Sequence, residues 1–192
     1  MSQSAHSRKR RSPRYSRELL LPLPLAATRA RSLKFHAYLT TVRKGFGSTE
    51  HLVELASVMY VSWFLQRAGY GDLPLEEFHA AEQYMEIANR RGALENLWCL
   101  DEDGYPFFEH ILQLHDRQLD TAPAYAIVQA EGDLRDFING TAPSPLPPLT
   151  SAQAGGATRT PYGHYPCACT ATPSTSRNVA RHPSRNAEHP QK

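Results

Sequence analysis

Between residues 27 and 140 apolar side chains recur with the 3.6-residue period of a helix in stretch after stretch, each broken by glycine, proline or an acidic turn. The first predicted helix runs from about Arg29 to Lys44, with Phe35, Tyr38, Leu39 and Val42 on one face, and stops at Gly45 and Gly47. A second starts after Ser48, a residue type suited to an N-cap, and ends near Ala68. One of its faces carries Leu52, Leu55, Ala56, Met59 and Trp63, yet Val53, Val58, Val61, Phe64 and Leu65 fill the others. A helix apolar all round belongs in the middle of a bundle. The third predicted helix has Pro74 at its first position, Glu76 and Glu77 in its first turn, and Phe78, Ala81, Met85 and Ala88 as its buried stripe, with Tyr84 beside it. Arg90 and Arg91 close it before Gly92. After the anchor Leu97–Trp98–Cys99–Leu100 and the acidic turn Asp101–Gly104, a fourth helix is predicted from about Pro106 to Leu119, with Phe107, Phe108, Ile111, Leu114 and His115 near its inner face. A fifth runs from about Ala122 to Ile138 on Ile127, Val128, Leu134, Phe137 and Ile138, weakened at Gly132. The expected class is all-α: a compact bundle of about five helices over residues 27–140.

The flanks lack this pattern. Residues 1–26 form a basic, proline-containing arm, and residues 141–192 a mixture of Pro, Ser, Thr, Ala, Gly and Arg. The arm is expected to be mostly disordered, and the tail, which cannot bury enough surface to offset chain entropy, disordered. The 192 residues allow one core of ordinary size, and 41% hydrophobic residues exclude a wholly disordered chain. No apolar run approaches the length of a membrane-spanning helix. Three cysteines, Cys99, Cys167 and Cys169, cannot build a disulfide framework, which points to a reducing compartment.

Charge adds what periodicity does not. A net charge of +2 conceals three segments: residues 1–44 carry +10, residues 45–140 carry −12, and residues 141–192 carry +4. A basic arm on an acidic body is suited to polyanions, or to contact with that body itself. Arg8, Lys9, Arg10, Arg11, Arg14 and Arg17 place six cations within ten residues, enough for salt-sensitive contact with nucleic-acid phosphates. Tyr15 between them offers one stacking ring. All five charges of the first helix are positive, and Arg29, Arg31 and Lys34 join the arm as candidate phosphate contacts. The same cluster also reads as a solubilising tail, an anionic membrane-surface patch or a targeting signal. For an export signal the run Leu19 to Ala27 is short, holds Pro22 and Pro24, and leads straight into Arg29 and Arg31. The second and third helices superficially resemble a helix-turn-helix, but Glu76, Glu77, Glu82 and Glu86 would set the third against DNA.

Catalytic and metal patterns are thin. Glu76 and His79 have the Glu-x-x-His spacing of a di-iron helix without the second pair such a site needs, and read as a surface acid–base pair. His110 and His115 share no helical face well, and each reads as a satisfied or half-exposed histidine. His164, Cys167 and Cys169 supply three soft ligands without a fourth at zinc spacing. Cys99 beside Trp98 reads as a small buried residue. A Gly-rich phosphate loop and a nucleophile elbow are both missing, so no enzyme, cofactor or metal is expected.

The segments Lys9–Arg10–Arg11–Ser12–Pro13, Ser16–Arg17–Glu18–Leu19–Leu20–Leu21–Pro22–Leu23–Pro24, Ser32–Leu33–Lys34–Phe35–His36 and Arg43–Lys44–Gly45–Phe46–Gly47 carry a resemblance. They are similar to a group of small proteobacterial proteins of integrative and conjugative elements, commonly labelled Fis-family transcriptional regulators. The resemblance spans about residues 8–140 and is strongest over 8–47. It implies a cytoplasmic, nucleoid-associated regulator. A Fis protein ends in a basic helix-turn-helix, whereas the last helices here are acidic. The expected function is a non-enzymatic DNA-associated protein that contacts the phosphate backbone, with a protein partner or a second copy on its body and no membrane partner. The alternatives are a protein-interaction adaptor with an acidic helical body and an exported protein with an atypical signal.

Overall fold

The computed structural model describes residues 16–140 and 144–149. Its helices are α1 (Leu25–Arg43), α2 (Thr49–Arg67), α3 (Leu75–Glu95), α4 (Tyr105–Thr121) and α5 (Ala124–Ile138), preceded by a short 3-10 turn at Arg17–Leu20. The fold is an all-α bundle of five helices, and among the described residues the only β-type contact is an isolated antiparallel bridge between Pro22 and Pro123.

α2 touches each of the other four helices, as its all-round apolar pattern requires. Leu52, Leu55, Val58, Met59 and Trp63 join α1, α3 and α4 in the larger core, together with Phe78, Ala81, Phe108, Ile111 and Leu114. Val61 and Leu65 point the other way, into a smaller core with Leu119, Ala126, Ile127, Ala130 and Leu134. α2 is therefore the partition between two cores. Val53 is the exception at 57% exposed, on the rim of a surface groove.

Two glutamine amides pin the turn between α2 and α3. Gln66 closes a two-way bond with the Leu73 backbone, donating to its carbonyl and accepting from its N–H, both at 2.8 Å. From α4, Gln118 donates to the carbonyls of Ser62 at 2.9 Å and Tyr70 at 2.8 Å. Gly71 sits at φ +101°, with Leu114 Cδ1 only 2.4 Å from where a Cβ would stand, so the turn closes on α4 through a residue that must be glycine.

Several expected boundaries shift. α1 starts at Leu25 rather than Arg29, because Pro24 (φ −55°, ψ 138°) launches a helix without losing a needed N–H. α5 starts at Ala124, after Pro123, for the same reason. α3 passes through Gly92 to Glu95 and ends where Asn96 turns left-handed at φ 56°, its N–H bonded to Gly92 O at 2.9 Å. Gly92 is no terminator but a seat: a Cβ there would stand 2.2 Å from Trp98 Cε3. The anchor predicted around Trp98 needs a residue without a side chain beneath its indole.

Neither flank is wholly structureless. In the arm, Leu23 packs against the smaller core, and Leu21 O accepts the Ala124 N–H at 2.8 Å. From the tail, the segment 144–149 returns to the bundle, where Leu146 is 7% exposed in the larger core and Pro147 O accepts a bond from His79 Nε2 at 2.8 Å. Prolines lower the entropy lost on ordering, so one leucine suffices to hold each short stretch. Residues 1–15, 141–143 and 150–192 lie outside the described residues.

Two glycine substitutions separate these effects. Gly132→Ala in α5 meets nothing nearer than 3.9 Å and is expected to raise stability by about 0.5–1 kcal/mol through helix propensity. Gly92→Ala gains the same propensity but collides with Trp98, and is expected to lower stability in the same urea titration. An increase for both would show that Trp98 does not rest on Gly92.

Candidate functional site

The cations of α1 are the first described residues to weigh as a nucleic-acid surface. Arg31 meets Glu131 of α5 at 2.9 Å, Lys34 meets Glu54 of α2 at 3.0 Å, and Arg43 meets Glu102, just before α4, at 2.8 and 3.2 Å. His36 adds a 2.9 Å contact to Asp116 of α4. Arg43 also lies over the Tyr105 ring, 4.1 Å from its centroid. These side chains are a third to a half exposed, so solvent screens each pair and none adds much to stability. Their effect is geometric: the one basic helix is clasped by acidic residues of its neighbours. Arg29, Lys44 and Arg17 are exposed and make no ion pair among the described residues. Arg8, Lys9, Arg10, Arg11 and Arg14 lie outside the described residues.

α2 and α3 bound a groove of about 560 Å³. Leu52, Val53, Ala56 and Met85 supply apolar lining, Glu82 and Glu86 the acidic rim, and Ser144 one end. Tyr60 donates to Glu82 Oε1 at 2.7 Å, and burial together with that carboxylate pushes the phenol far above its ordinary range. It stays protonated and acts as a donor. His79 Nδ1 faces the other oxygen of Glu82 at 3.9 Å while its Nε2–H holds Pro147. The expected Glu76–His79 pairing is thus replaced by His79–Glu82 and by His110–Glu77 at 2.7 Å, because α4 and the returning segment offer the histidines other neighbours. Among the described residues no group of three His, Cys, Asp or Glu side chains is placed to hold a metal. His164, Cys167 and Cys169 lie outside the described residues.

The buried polar residues tie helices together. Ser62 donates to Val58 O at 2.8 Å, which leaves its oxygen to accept from His115 Nδ1 at 3.1 Å and assigns the ring proton to Nδ1. The Phe35 ring meets His115 edge to face at 5.6 Å. Burial lowers the His115 pKa to about 4, with Arg31 adding to the effect and Asp116 opposing it. Trp63 Nε1 is buried with no hydrogen-bond partner among the described residues. Cys99 is buried, receives an Arg91 N–H at 3.2 Å, and has its thiol pKa raised chiefly by burial. Arg91 in turn forms a two-point pair with Asp101 at 2.7 and 3.0 Å that closes the loop after α3.

Sequence reasoning named the α1 cations but not their partners, which lie 20 to 100 residues away. It also missed the groove and the His79–Pro147 bond. The Pro-Leu-Pro at 145–147, which matches that at 22–24, was the signal that could have found the latter.

Comparison with known proteins returns no match: no family model, no curated protein and no solved structure is significantly similar to this chain.

Protonated His115 is tolerated only in the unfolded chain, where its pKa is near 6.5. Its contribution is therefore complete above about pH 6.5 and is lost as pH falls toward 4, a change of about 3 kcal/mol. Melting temperatures between pH 4 and 6.5 should rise steeply for the wild type and less steeply for His115→Gln. Equal slopes would remove His115 as the source.

Proposed function

We propose that this chain is a non-enzymatic DNA-associated protein that grips phosphates through its basic N-terminal arm and carries that arm on the helical bundle. The observation that supports this reading is the pairing of Arg31, Lys34 and Arg43 with the acids around them. With those cations engaged, and residues 45–140 at −12, the bundle repels phosphates and the six cations of residues 8–17 remain as the available polycation. This narrows the candidate contacts to Arg8, Lys9, Arg10, Arg11, Arg14 and Arg17, with Arg29 at the margin. Arg31 and Lys34 become bundle residues. Phosphate contact of this kind carries no base readout, so any sequence preference comes from DNA shape or from a partner. Transcriptional regulation in a mobile element, in the cytoplasm and at the nucleoid, is the setting that the resemblance suggests.

A second reading is favoured by the α2–α3 groove. Its apolar lining and its rim of Glu82 and Glu86 suit a basic segment of a partner protein, with the bundle acting as an adaptor.

Binding to duplex DNA over a salt series separates the two. Residues 16–24 anchor on α5, so the informative truncation removes only residues 1–15. The full chain is expected to bind with a log–log salt slope of about −5, as six phosphate contacts give, and the truncated chain to lose nearly all of it. Binding that survives the truncation, or is missing at low salt, would sink the arm reading. A truncated chain that takes up a basic peptide more tightly than the full chain would favour the adaptor.

A further inference from the structure

The segment Ser144–Leu149 sits on the bundle as a ligand sits on a receptor. Its sequence, Ser-Pro-Leu-Pro-Pro-Leu, has three prolines that fix φ and carry no N–H, so its backbone has little freedom to lose and few donors to satisfy, and the chain bends at Pro145 and Leu146. The Leu146 N–H is met within the segment by Ser144 Oγ at 3.1 Å. Two contacts hold it outward of itself. The Leu146 side chain enters the larger core, and His79 Nε2 donates to Pro147 O at 2.8 Å. An apolar side chain in a socket and a side-chain donor on a proline carbonyl are the elements by which proline-rich segments are recognised in trans. The flanking Pro147 and Pro148 stay exposed.

We infer that the Leu146 socket with its His79 donor is a binding site for Pro-Leu-Pro peptides, that residues 144–149 are its resident ligand, and that a proline-flanked leucine of a partner protein replaces them. The tether to α5 is only a few residues long, which gives the resident segment a high effective concentration. A second copy of the chain brings the same segment without that advantage, and an untethered segment displaces it only in excess of that effective concentration. A partner has a further advantage, because the groove of Leu52, Val53, Tyr60 and Met85 borders Ser144, and a peptide longer on that side gains contacts there. This site is independent of the arm, and it borders the groove offered above to a basic segment.

The test uses the full chain carrying Leu146→Ser and a fluorescent synthetic peptide of residues 142–150. Anisotropy should report saturable binding, at least tenfold tighter than to the wild-type chain, where the resident competes. Binding should be lost when His79→Ala is added or when serine replaces the peptide's central leucine. A cooperatively melting Leu146→Ser chain that ignores the peptide, or equal binding by both chains, overturns the inference. If Leu146→Ser does not fold, the Leu146 methyl resonance of the wild-type chain decides. Excess peptide must move it to the random-coil position, and an unmoved signal overturns the proposal. A wild-type dimer that the peptide splits also overturns it, by assigning the socket to a second copy.

Discussion

Everything in this fold depends on hiding α2. A nineteen-residue helix with apolar side chains on every face cannot sit at a surface, so the chain surrounds it. α1, α3 and α4 cover the side carrying Leu55, Met59 and Trp63, and α5 covers Val61 and Leu65. The two cores therefore share a wall and not a centre. The polar residues that reach into this wall do so in pairs of helices: Ser62 with His115, and Gln118 with the α2–α3 turn. Each bond leaves α2 fixed relative to α4, the helix that touches both cores.

The electrostatics follow from the same arrangement. Once α2 is enclosed, charge is left for the outer helices, and α1 is the only one whose charges are all positive. Packed between α2 and α4, it meets Glu54, Asp116 and Glu102, while Glu131 reaches it from α5. A charge pattern that looked like a polyanion-binding face is largely answered within the bundle. That pairing sharpens the contrast between the body and the arm, because it removes the intermediate zone of available cations between them.

The helices and the central place of α2 were legible in the sequence, since burial of a periodic stripe is a local signal. The stripe Phe78–Ala81–Met85–Ala88 is buried throughout as read. What escaped was decided by distant partners. Gly92 looks like a stop signal until Trp98 is laid over it, and then it is required in the helix interior. Glu76 and His79 have a suggestive spacing, yet His79 turns to Glu82 and to a carbonyl 68 residues away. The candidate cations of α1 were identifiable by type but not by partner, because ion pairing between helices leaves no trace in spacing.

The flanks show why composition alone underestimates short docked segments. Leu23 lies between Pro22 and Pro24 against the smaller core, and Leu146 lies between Pro145 and Pro147 in the larger one. Each core is thus completed from outside the helical domain by one leucine held in a proline-flanked stretch. Ordering such a stretch costs little backbone entropy, so a single apolar side chain and one hydrogen bond are enough to hold it. An interaction that light is also easily exchanged. The Pro22 segment is further secured by its backbone bond to α5, whereas the Pro145 segment relies on the side chain of His79. Of the two attachments, the one at Leu146 therefore rests on a side-chain bond and on burial of one leucine, and the one at Leu23 on a backbone bond.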